Sequence, residues 1–125
     1  WETQEFIDVG GKDVEGCVLS TAFDREKAST EEAKKFLKAY TDEYKGEPSA
    51  LSALGYDSYL IAIDAIKRAG GTDSKKIRDA IATTKDLEAV TGKTTLDKNG
   101  DAIKAAVIKV VKDGKFKYLD FVDVK

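Results

Sequence analysis

The sequence predicts a mixed fold of helices and strands, an α/β or α+β arrangement, on three observations. Apolar residues recur at helical spacing through most of the chain as far as Thr83. Beyond that point the pattern shortens to β-branched runs. Those runs are separated by Asn99-Gly100 and Asp113-Gly114, dipeptides that favour two-residue hairpin turns because both positions tolerate a positive φ.

Each element follows from its own residues. Thr3 is placed to cap a short helix through Val9, with Glu5 in its first turn and Phe6, Ile7 and Val9 as apolar contacts, and Gly10-Gly11 ends it. Val14 to Thr21, with Gly16 near its start, reads as a strand that leads through Ala22-Phe23 into a polar loop. Ser29 stands three residues before Glu32, the capping-box spacing, so a helix is expected from about Thr30 to Tyr44 with Ala33, Phe36, Leu37, Tyr40 and Tyr44 on its apolar face. Lys45-Gly46-Glu47-Pro48 breaks it. The stretch from Ala50 to Ala69 is apolar on nearly every side, through Leu51, Leu54, Tyr56, Tyr59, Leu60, Ile63 and Ile66, which predicts a buried helix. Gly70-Gly71 stops that helix, and Asp73 or Ser74 caps another through about Thr83 whose inner face is Ile77, Ala80 and Ile81. Val90 to Leu96, Ala105 to Lys112 and Phe116 to Val124 read as strands.

Composition removes several chemistries. The 125 residues, 42% hydrophobic and 35% charged, suit one collapsed domain. With no histidine there is no serine or cysteine triad of the usual type, no imidazole metal site and no imidazole pH switch. A single cysteine makes neither an internal disulfide nor a thiolate zinc site. The net charge of -2, from 21 basic and 23 acidic residues spread along the chain, offers no basic field to a phosphate backbone, so nucleic acid is not an expected partner. No apolar run nears the roughly 20 residues that span a bilayer. The opening Trp-Glu-Thr-Gln-Glu lacks the basic start and apolar core of a secretion signal.

The candidate clusters mostly read as structure. Asp97, Asn99 and Asp101 match the first, third and fifth positions of a calcium loop, but Ala102 stands where a glycine is needed and Ile108 where a bidentate glutamate should be, so a hairpin turn is expected. Cys17 lies in the apolar run before Thr21, which predicts a buried, inert thiol. Glu31-Glu32 and Asp42-Glu43 fall at helix ends beside lysines, with no apolar surround to raise a pKa. Lys34-Lys35 and Lys75-Lys76 read as exposed faces. No residue set pairs a nucleophile with a base, so no enzyme, cofactor or metal is expected. Trp1 stands apart, with local packing as its ordinary use.

A longer set of residues carries a more specific signal. The run Glu47-Pro48-Ser49-Ala50-Leu51-Ser52-Ala53-Leu54-Gly55-Tyr56-Asp57, followed by Ala65-Ile66-Lys67-Arg68-Ala69-Gly70, resembles the C-terminal part of branched-chain amino-acid-type ABC transporter substrate-binding proteins. Val14-Glu15-Gly16, Lys76-Ile77-Arg78-Asp79-Ala80-Ile81, Val90-Thr91-Gly92-Lys93 with Leu96-Asp97-Lys98-Asn99-Gly100-Asp101, Ala106-Val107-Ile108 and Val111-Lys112-Asp113-Gly114-Lys115-Phe116 resemble the same family in order and spacing. The ordered set covers almost the whole chain.

The resemblance implies an α/β type I periplasmic-binding-protein fold, in which two lobes joined by three crossings close over a ligand. This chain would be its last part: residues 1–21 a helix and strand of the second lobe, 22–105 the helices and hairpin of the first, and 106–125 a crossing strand and C-terminal hairpin of the second. The segment from Thr21 to Phe23 would be a crossing. The acid that pairs with a ligand ammonium, the loops that grip its carboxylate, a signal segment and any lipid-bearing cysteine would lie upstream of Trp1. The positions left to touch ligand are Trp1 at the rim, Thr21 at the strand end facing the cleft, and Leu51 or Ala53 in the first turn of the long helix, where some relatives place an aromatic. The implied function is capture of an amino acid outside the cytoplasm for the membrane permease of an ABC importer. A sensor of the same fold and an autonomous α/β interaction domain are the alternatives. Against the latter stands the all-round apolar helix, whose exposed area would drive an isolated piece to dimerise.

Overall fold

Local caps set the first helix where the sequence asks for it. The computed structural model describes residues 2–28 and 30–123. Helix α1 (Gln4–Gly10) begins where the Thr3 side chain accepts a hydrogen bond from the Phe6 N–H. It ends at Gly11, whose φ of 52° favours a residue without a side chain. A 3-10 turn over Gly11–Val14 follows, and Gly16 adds a second positive φ of 80°. The expected strand therefore starts late, as β1 (Val18–Thr21), because the 3-10 turn takes in Val14 and the positive φ of Gly16 interrupts an extended chain. That shift corrects the reading of Cys17, which lies outside β1 and is exposed.

Helix α2 (Glu31–Tyr44) takes Thr30 as its cap: the hydroxyl accepts from Ala33 N at 3.0 Å and donates to the Ala89 carbonyl at 2.8 Å. Ser29, the capping-box expectation, lies outside the described residues. Helix α3 (Ala50–Ala69) is capped by Ser49 and stopped by Gly70 at φ 68°. The expectation of burial on all sides fails here, for only Ala53, Asp57 and Ala65 are buried, while Leu51 is 75% exposed and Tyr59 56%. The described elements packed on α3 are α4 (Ser74–Ala82), the hairpin that follows it, and α2 through Ala33 and Phe36. In α4, capped by Asp73, the residues withdrawn from solvent are Ile77, Ala80 and Ile81, as their spacing predicts.

The stretch expected as one strand from Val90 to Leu96 is split. Val90 and Thr91 form the turn between β2 (Leu87–Ala89) and β3 (Gly92–Leu96), since Gly92 at φ 110° reverses the chain. A second turn carries β3 into β4 (Ala102–Ile103), and there one Asp97 oxygen accepts from the Asn99 and Asp101 amides. These three strands form one antiparallel sheet. The other sheet has the order β1-β5-β6, with β5 (Ala106–Lys112) central and β6 (Lys115–Val122) joined to it through Asp113 and Gly114 at φ 54° and 67°. Two successive positive φ values match the right-handed twist of the paired strands.

Packing divides the elements into two groups. Every extensive contact between described elements is made among β1, β5 and β6 or between α1 and the 3-10 turn that leads toward β1, in the first group, or among α2, α3, α4 and the β2-β3-β4 sheet, in the second. The second group holds the main core, Phe23, Ala33, Phe36, Ala53 and Val90, with Phe23 and Phe36 meeting edge to face. The first group buries Ile7, Val107 and Val111, and Phe6 stacks on Phe116 at 6.4 Å. Among the described residues no helix is long and apolar enough to cross a membrane.

Candidate functional site

Period-two alternation in β5 turns Val107, Lys109 and Val111 to its buried face. A lysine at the centre of such a face needs partners, because an unpaired buried ammonium is costly. Two carboxylates supply them. Lys109 Nζ lies 2.5 Å from Glu2 Oε1 and 3.1 Å from Asp24 Oδ2. The other Glu2 oxygen accepts from the Thr21 hydroxyl at 2.5 Å, and the other Asp24 oxygen accepts from the amides of Glu26 and Lys27 at 2.9 and 3.2 Å. Asp24 thereby caps the short 3-10 turn over Arg25–Lys27. Each buried charge is satisfied by another group of the cluster.

This cluster lines a cleft of about 660 Å³. Lys109, Phe116 and Tyr118 form its sheet side; Glu2 and Gln4 stand on one wall; Asp24 and Arg25, with Pro48 to Ala50 at the start of α3, stand on the other. At the rim, Arg25 pairs with Glu47 at 2.6 Å, both half exposed. Lys27 places its ammonium 5.0 Å from the Tyr118 ring centre, a cation–π contact. Acidic and basic side chains line the cleft in equal number, an arrangement suited to a small solute bearing both charges. The cleft offers a solute shape, charge and hydrogen-bonding groups.

The sequence-derived site residues fall in different places. Thr21 ends β1 half-buried and reaches the cleft through its bond to Glu2. Leu51 stands exposed in the first turn of α3, next to Ala50, which lines the cleft. Ala53 is fully enclosed in the core with Phe23, Phe36 and Val90. Trp1 lies outside the described residues. Glu2, Asp24 and Lys109 were missed by sequence reasoning, although the alternation Val107, Lys109, Val111 on one strand face carried a usable signal for the lysine.

A sequence profile of the periplasmic binding protein family matches residues 2–115. The leucine binding protein LivK from Thermotoga maritima is 40% identical and superposes with a TM-score of 0.89 over 97% of this chain and 35% of its own. The branched-chain amino acid transporter substrate binding protein LivJ from Streptococcus pneumoniae, solved with isoleucine, is 32% identical with a TM-score of 0.81, over 98% of this chain and 34% of its own. A solute binding protein of an ABC transporter from R. palustris, solved with benzoate, shares the fold at 19% identity and a TM-score of 0.76, over 93% of this chain and 32% of its own. The chain spans about a third of the length of the structures it matches.

Proposed function

The chain belongs to the periplasmic binding protein family, and from that membership we propose that it is part of an extracytoplasmic protein that captures an amino acid and presents it to the membrane permease of an ABC importer. The observation that carries this reading is the 40% identity, over nearly the whole chain, to a leucine binding protein. The relative solved with isoleucine points to the same ligand class. In this reading α1, β1, β5 and β6 belong to one lobe and the remaining elements to the other. Their separate packing supports it.

Binding in such a cleft needs no covalent step. Lobe closure expels water, and hydrogen bonds and charge pairs strengthen as the local dielectric falls. Thr21 would present its hydroxyl at the cleft side of β1, Trp1 would stand at the rim, and Leu51 would offer an apolar surface to the ligand side chain. Ala53, enclosed in the core, would seat the turn that carries Leu51.

Thermal melts and calorimetric titrations of the intact protein with leucine, isoleucine and valine test the reading. A ligand that binds only the native state at a hundred times its Kd adds about 2.7 kcal/mol, a readily seen rise in Tm. No shift with any amino acid overturns the ligand class. A shift with an aromatic carboxylate alone keeps solute binding and replaces the amino acid.

A further inference from the structure

Among the described residues, Lys109 marks the place where both groups of elements meet through a buried ion pair. It is carried by β5, in the sheet group, and its ammonium is buried. Glu2 reaches it from the segment before α1, on one wall of the cleft; Asp24 reaches it from the turn that leads to α2, on the other. Among the ion pairs between described residues, Lys109 with Asp24 is the one that ties the sheet group to the segment opening the helical group. Asp24 is held rigidly, since its second oxygen caps two backbone amides. Glu2 is held as well, by the Thr21 hydroxyl. Extensive packing is confined within each group, so the angle between them rests on the chain crossings and on local contacts such as this one and Lys27 over the Tyr118 ring.

We propose that Lys109 is a positioning residue that sets the separation of the two cleft walls, by drawing Glu2 and Asp24 onto a single buried ammonium. The inference rests on the cleft being the solute site. Without the ammonium, the buried Asp24 carboxylate and the partly buried Glu2 carboxylate face one another across the cleft and repel, so the walls part. Replacing all three charges removes the repulsion and the tie together. A role in wall spacing is thus separable from a role in stability.

The test uses the intact protein with spin labels at Glu5→Cys on α1 and Glu43→Cys on α2, in a background without other cysteines. Distance distributions are compared for Lys109, Lys109→Met, Lys109→Arg and the neutral triple variant Glu2→Gln, Asp24→Asn, Lys109→Met. The triple variant keeps a capping side chain at position 24, so it tests spacing even where Lys109→Met fails to fold. The expected result is a roughly twofold broader distribution in the triple variant, as one arrangement gives way to several, and a native-like distribution in Lys109→Arg. A triple variant as narrow as the native protein overturns the proposal, and so does a Lys109→Arg distribution as broad as that of the triple variant. Titration of the unlabelled native protein with leucine reads the solute-binding proposal separately, because the label distances report on Lys109 whether or not leucine binds.

Discussion

Asp57 on α3 accepts a hydrogen bond from the Val90 N–H at 2.7 Å, across 33 residues of sequence. Its other oxygen accepts from the Thr91 hydroxyl and lies 3.3 Å from Lys104 Nζ. The Lys104 ammonium also donates to the Thr91 hydroxyl. A buried carboxylate on the long helix therefore closes the turn between β2 and β3 and anchors the segment entering β5.

Truncating that carboxylate leaves buried amides without an acceptor and a mostly buried ammonium without a counter-charge. Asp57→Ala is expected to lower stability by about 3 kcal/mol, the range seen when one partner of a buried pair is removed. Asp57→Asn retains an acceptor for Val90 N and should cost about half as much. Denaturant midpoints of the two variants decide: equal losses would mean that the negative charge facing Lys104, rather than volume or a neutral acceptor, holds the turn.

The Asp57 lock also shows what sequence reading can reach. Tyr56-Asp57 and Val90-Thr91 were both singled out as parts of one family pattern, yet nothing in either run says that they touch. Caps were legible because a cap is decided within four residues: Thr3 and Asp73 both bond the amides three positions on. Hairpin turns at Gly100 and Gly114 were legible for the same reason. Burial of α3 was misjudged because an apolar helix surface states a demand for cover and does not say which segment supplies it. The cleft cluster was missed because Glu2, Asp24 and Lys109 are far apart in the chain, and a charged residue is ordinarily solvated.

Cys17 offers a direct check on the late start of β1. It is exposed, ahead of the strand, where an inward-facing thiol was expected. Iodoacetamide should label it in the native protein at a rate within about tenfold of the denatured chain. Labelling that waits for global unfolding would place the thiol inside and return the strand start toward Val14.

The surface of α2 carries a small pH dependence of known sign. A hydrogen bond from the Lys34 ammonium, reinforced by its charge, holds the Glu31 carboxyl below its usual value of 4.5. Bonds to Glu32 and Asp42 hold Lys35 and Lys38 above their usual 10.5. A depressed carboxyl contributes stability that is present above 4.5 and lost as pH falls through the folded value. The raised lysines contribute below 10.5 and lose that contribution as pH rises through their folded values. These exposed pairs are weak, so the measurement is local: in an NMR titration, Lys34→Met should move the Glu31 midpoint upward. An unmoved midpoint would show that the pair does not form in solution.

Thr94 on β3 is buried, opposite Leu87 in the β2–β3 ladder, and its hydroxyl has no hydrogen-bond partner among the described residues. A buried hydroxyl without a partner costs about 1–3 kcal/mol, the desolvation it never recovers. Thr94→Val replaces that oxygen by a methyl group of similar size and removes the penalty. Against this stands the slightly larger group in a closed site, where overpacking can cost about 1 kcal/mol or more. The removed penalty should prevail because the β-branched shape, and with it the rotamer, is kept. Stability is therefore expected to rise by about 1 kcal/mol in Thr94→Val and to fall by about 1 kcal/mol in Thr94→Ser, which keeps the hydroxyl and loses the methyl. Thermal unfolding of the three proteins should give the order valine, threonine, serine. Threonine melting above valine would show that overpacking, or a hydrogen bond to that oxygen, outweighs the removed penalty.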